Sequence, residues 1–140
     1  MTSVTASRTT ASTSIPVGLE YTADPLAGAY APLRSWSQLD ALAQRVGDRA
    51  WRWAVVQRRD DPGQRFAQCV STPEGAVVEV GALDAATGRH TVWRLHRSAE
   101  GACAPDERQF LRIARDWLSL GVVPGFAAAT VPLEGDDEPF

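Results

Sequence analysis

Two histidines, two cysteines and a few carboxylates are the residues from which this chain could build a reactive centre. His90 and His96 fall at the same parity of a run that reads as a strand, so they share a face. They lie about 20 Å apart at about 3.3 Å per residue, too far to share one metal ion. CxxC, HExxH and acidic calcium-loop spacings are missing, so no metal ligation is expected. Cys69 sits in the middle of a strand-like run, where a small apolar side chain packs into a core. Cys103 precedes the positive end of a predicted helix, a location that lowers a thiol pKa. Nucleophilic catalysis also needs a base beside the thiol, and only His90 or His96 offers an imidazole. GxSxG, Walker and GxGxxG patterns are missing too, so no cofactor is expected. The acidic pairs Asp60-Asp61 and Asp136-Asp137 fall in a turn and a tail, where carboxylates are solvated.

The more informative polar residues lie inside apolar strands. Arg58, Gln68, Glu79 and Arg94 each interrupt such a run, and Arg52 opens one. On an open sheet face, cross-strand Arg–Glu pairs contribute only about 0.2–1 kcal/mol. Arg and Trp are also the side chains enriched where interfaces concentrate their binding energy. Arg52, Arg58, Gln68, Glu79 and Arg94 are therefore the candidate partner-binding residues, on a face pointing away from the core.

The elements that must position them follow from periodicity. Residues 1–14, rich in Ser, Thr and Ala, read as a disordered tail. Residues 15–133 read as one domain and 134–140 as an acidic tail. In the proline-bearing lead-in, Ile15, Val17, Leu19 and Tyr21 alternate as in a short edge strand. Ser35 and Gln38 have capping-box spacing, and Trp36, Leu39, Leu42, Ala43 and Val46 form the apolar stripe of a helix over 36–46 that Gly47 ends.

The period then switches to two. Strands are predicted over 51–59, 65–70, 76–80 and 90–96, with turns at Asp60–Gly63 and Thr72–Gly75 and a loop over 81–88. A second helix spans about 105–120, with Pro105, Asp106 and Glu107 in its first turn and Phe110, Ile113, Ala114, Trp117 and Leu118 facing inward. Gly121 and Pro124 stop it, and Phe126–Leu133 can return as an edge strand. The expected fold is thus α+β: a two-layer sandwich of a four- to five-stranded antiparallel meander against two helices. Trp36, Trp53, Trp93 and Trp117 are its candidate anchors.

Composition bounds the rest. The chain has 140 residues, 44% hydrophobic and 22% charged, which suits one folded domain. Its net charge of −3 carries no basic footprint for nucleic acid, and no apolar run is long enough to span a membrane. All 14 basic residues are arginines, a bias that fits a GC-rich genome. The start lacks the apolar stretch of a secretory signal, so a cytoplasmic location with reduced thiols is expected.

The span Ser35–Pro124 resembles small actinobacterial immunity proteins of polymorphic toxin systems. The likeness rests on the opening Ser35-Trp36-Ser37-Gln38-Leu39-Asp40-Ala41-Leu42 and on the close Ala114-Arg115-Asp116-Trp117-Leu118-Ser119-Leu120-Gly121-Val122-Val123-Pro124. It departs after Pro124, where Gly125, Phe126 and Ala127 stand in place of an expected Trp. The chain is also loosely similar to small chaperone-like sheet-plus-helix domains. Both resemblances imply a non-catalytic protein-binding domain; the first implies a cognate toxin as partner, and the second a secretion accessory role. The alternative expectation is a small-ligand binder or enzyme using a cleft between sheet and helices.

Overall fold

A computed structural model describes residues 18–61, 63–84, 86–97 and 104–131. The expected tails at 1–14 and 134–140 and the thiol of Cys103 lie outside the described residues.

Strand β1 (Leu19–Ala23) leads through a single 3-10 turn to the short strand β2 (Ala31–Pro32) and then to helix α1 (Trp36–Gly47). Strands β3 (Trp53–Arg58), β4 (Phe66–Thr72), β5 (Gly75–Asp84) and β6 (Arg89–Arg97) follow. A 3-10 turn at Glu107–Gln109 runs into helix α2 (Phe110–Leu120), and β7 (Phe126–Val131) closes the order. All strands join one antiparallel sheet in the order β2-β1-β3-β4-β5-β6-β7.

The α+β class and the β3–β6 meander are as expected, but the sheet has seven strands, not four or five. Two causes account for the difference. β1 is not an edge strand: it pairs with β3 on one side and with β2 on the other. β2 has only two residues, too few for a periodic signal. The expected loop at 81–88 is also shorter, because β5 continues through Gly81 to Asp84. Gly81 holds its place in the strand because Phe66, its direct partner on β4, lays its ring over the position. An aromatic covering a strand glycine restores the contact that the missing side chain would have made.

The helices begin where their caps allow. Ser35 Oγ accepts from the Gln38 amide at 3.2 Å, and Gln38 Oε1 accepts from the Arg34 amide at 2.8 Å, one residue earlier than a capping box requires. Asp106 and Gln109 do form that box, but around the 3-10 turn, so the α-helical part of the second helix starts at Phe110 rather than Pro105. At the other end, Gly121 takes the left-handed conformation (φ 73°) and donates to the Trp117 carbonyl at 2.9 Å.

Both helices pack on one face of the sheet. Ala54, Val56, Ala67, Cys69, Val78, Val80 and Leu95 are all fully buried there, against Leu39, Val46, Phe110, Ile113 and Leu118 from the helices. Trp36 belongs to this core. Trp93 and Trp117 are half-buried at its margin, packed edge to face at 6.0 Å, and the Trp117 indole donates to the Gly81 carbonyl at 3.0 Å. Trp53 alternates with the buried Ala54 and so lies on the opposite face. Among the described residues no helix covers that opposite face.

Candidate functional site

The open face carries residues of the other parity: Val55 and Gln57 on β3, Phe66 and Gln68 on β4, Glu79 on β5, Val92 and Arg94 on β6. Register fixes their neighbours. Gln68 stands directly opposite both Val55 and Glu79, and Glu79 stands opposite Arg94, so Gln68, Glu79 and Arg94 form a row across three strands. Glu79 is only 5% exposed. Its Oε1 accepts from Gln68 Nε2 at 2.7 Å, and its Oε2 accepts from Arg94 Nε and Nη2 at 2.9 and 2.7 Å. A carboxylate so buried persists only when paired and hydrogen-bonded, and here three donors satisfy it.

The same arrangement recurs toward the other edge. Glu20 on β1 pairs with Gln57 across the ladder. Its Oε1 accepts from Gln57 Nε2 at 2.8 Å, while Arg59 Nε stands 3.5 Å from its Oε2. The open face thus holds two carboxylate-centred sets of identical composition, Gln57–Glu20–Arg59 and Gln68–Glu79–Arg94.

Between them lies a cavity of about 460 Å³. Tyr30, Phe66 and His90 supply aromatic walls, and Val55, Val92 and the three glutamines Gln57, Gln64 and Gln68 complete the lining. Phe66 and His90 meet edge to face at 5.9 Å. Tyr30, ahead of β2, is 44% exposed at the rim, and burial together with the nearby Glu20 charge pushes its phenol pKa up. A volume in this range is ordinary for a small-molecule or side-chain pocket.

The five predicted binding residues divide by parity. Gln68, Glu79 and Arg94 come together on the open face, although Glu79 is buried beneath its partners rather than pointing freely outward. Arg58 shares parity with Val56 and lies on the helix-covered face instead, where its Nη1 reaches the Leu118 carbonyl at 3.4 Å. Arg65 donates to the neighbouring Trp117 carbonyl at 3.0 Å, so two guanidiniums cap the negative end of α2. Arg52 lies before β3, and its backbone amide and side chain both meet Asp24. Its side chain is 88% exposed.

No protein-family model, curated protein or solved structure matches this chain. The site must therefore be read from its own chemistry. Cys69 is a free thiol on the helix side of β4, and burial, followed by the charges of Glu107 and Asp106, pushes its pKa up to about 12. It stays protonated and packed. Among the described residues no group of three His, Cys, Asp or Glu side chains is placed to hold a metal ion. Nor is any helix among them long and apolar enough to cross a membrane.

Sequence reasoning missed Tyr30, Gln57 and Glu20. Their only signal was the polar parity of Gln57 within 53–58; what unites them is a pairing between β1 and β3 across more than thirty residues of chain.

Proposed function

We propose that this chain is a non-catalytic protein-binding domain whose docking surface is the open face of the sheet, and that its partner is a cognate toxin. The observation that carries the reading is Glu79. A buried carboxylate that orients Gln68 and Arg94 on a face that no helix among the described residues covers contributes little to a core. It does present polar groups in fixed positions, which lowers the ordering cost of binding. The likeness to immunity proteins supplies the class of partner, and the cytoplasm is where such a protein would meet it. The chaperone-like alternative uses the same face with an unfolded or secreted client.

The test uses the product of the gene beside this one. The two purified proteins should form a stoichiometric complex on gel filtration, and co-expression should restore growth against that product's toxicity. A Tyr30→Ala, His90→Ala double variant should weaken the complex by about tenfold or more, the loss expected for central interface side chains. Arg52→Ala, on the opposite parity, should not. A complex indifferent to Tyr30 and His90, or no complex and no protection, overturns the proposal.

The cavity itself favours a second reading, a small planar ligand held between Tyr30 and Phe66. A compound that raises the thermal midpoint of the wild-type chain, and not that of Tyr30→Ala, would establish it.

A further inference from the structure

Two of the three glutamines that line the cavity, Gln57 and Gln68, have a defined polarity. An ionised carboxylate only accepts hydrogen bonds, so the amide nitrogen of Gln57 must face Glu20, and that of Gln68 must face Glu79. Each Oε1 is therefore turned away from its carboxylate, and among the described residues no donor reaches either. Hydrogen bonding to a carboxylate also draws charge toward that oxygen and strengthens it as an acceptor. Gln57 and Gln68 are diagonal neighbours on adjacent strands, because Gln57 stands opposite Phe66 and Val55 opposite Gln68. Such diagonals place their Cα atoms about 7–8 Å apart, room for one planar donor group between two acceptors. The Phe66 ring lies beside them and Tyr30 stands at the rim.

Two outward acceptors flanked by aromatic rings describe a receptor for a planar, donor-rich cation. A guanidinium meets every requirement: it is flat, it has donors on opposite edges, and it stacks on aromatic faces. An ammonium has the charge but not the plane. We infer that the cavity receives an arginine side chain of the partner protein, gripped by the Oε1 atoms of Gln57 and Gln68 and stacked against Phe66 and Tyr30. Arginine filling a central pocket is a recurrent way for interfaces to concentrate binding energy. The inference rests on the protein-docking reading of this face and names the chemistry of the residue that seats there.

The probe is N-acetyl-arginine methylamide, titrated into the full chain and followed by the NMR signals of the glutamine side-chain amides. Its control is the citrulline counterpart, which keeps the planar shape but carries three N–H donors and an acceptor oxygen in place of five donors, and no charge. The arginine probe should saturate, shift the Gln57 and Gln68 side-chain signals, and bind about fivefold or more tighter than the citrulline probe, in line with the strength of an aromatic–cation contact. Tyr30→Ala and Gln57→Leu should each weaken it about threefold or more; both sites lie outside the core, and a thermal melt checks their folding. Equal binding of the two probes, or shifts confined to other parts of the chain, overturns the inference. That result leaves the complex with the neighbouring-gene product untouched. Conversely, an arginine probe that binds here while that complex ignores Tyr30→Ala upholds the pocket and removes the docking reading.

Discussion

Removing Arg94 should destabilise the fold, although its charge sits on the outer face. Glu79 is 5% exposed, and two of its three hydrogen bonds come from the Arg94 guanidinium. Arg94→Leu would leave the carboxylate with Gln68 as its one remaining donor. Breaking a fully buried ion pair costs about 3–5 kcal/mol, because a charge is stranded. An exposed pair contributes about 0.2–1 kcal/mol. The Arg94 side chain is 47% exposed, so water reaches one side of the pair and the expected cost falls between those limits, at about 2 kcal/mol. For a chain of this size that lowers the melting temperature by roughly 6–8 °C. Glu79→Met should cost less, about 1 kcal/mol, since Arg94 can turn to solvent. The double variant should cost no more than about 1 kcal/mol, because it strands no charge, giving a coupling energy of about 2 kcal/mol. Urea unfolding followed by tryptophan fluorescence measures all four corners of the cycle. A cost below about 0.5 kcal/mol for Arg94→Leu with a coupling near zero would show that the pair is solvated, and would remove the preorganised charge on which the proposal of a docking face rests.

Trp117→Phe should lose about 1 kcal/mol by removing the indole hydrogen bond to the Gly81 carbonyl, and Trp117→Ala about 3 kcal/mol, both read from the urea midpoint. Gly81→Ala places a methyl against the Phe66 ring; it should cost about 1–3 kcal/mol and abolish arginine-probe binding by displacing a wall of the cavity. Burial alone would raise the Asp61 pKa, but the Arg65 side chain and the amides of Gly63 and Arg65 outweigh it and hold the carboxyl below its ordinary 3.8. A lowered native pKa stabilises above the unfolded value and is lost as pH falls through the native one. The stability gap between wild type and Asp61→Asn should therefore be full at neutral pH and close as the pH drops below about 4. Cys69, with its pKa pushed up to about 12, should resist iodoacetamide at pH 8 in the native chain and react on addition of urea, as mass spectrometry of its peptide would show.

What the sequence made legible was local. The stripe Trp36–Val46 behind Ser35, and the alternation and turns from Trp53 to Arg97, identified α1 and the β3–β6 meander in order. Parity within β3 was harder. Val55 and Val56 are adjacent and equally apolar, so alternation alone did not tell which turns inward; the packing of Val56 against the helices decides it and carries Arg58 with it. The burial of Glu79 was hidden because Arg94 lies fifteen residues away, across a strand pairing that must form first. The cavity was hidden for the same reason, since Tyr30, Gln57 and His90 meet only through the register of strands far apart in sequence.

Confining both helices to one face has a consequence for how such a protein can change over generations. Alternate positions of β3 and β4 serve separate duties: Ala54, Val56, Ala67 and Cys69 hold the fold, while Val55, Gln57, Phe66 and Gln68 face outward. Point substitutions at the outward positions rewrite the surface and leave the residues that pack against the helices in place. An inserted or deleted residue cannot, because a one-place slip exchanges the two sets and turns the core to water. Diversification of the open face should therefore run through substitutions at fixed strand lengths, with length variation left to the turns.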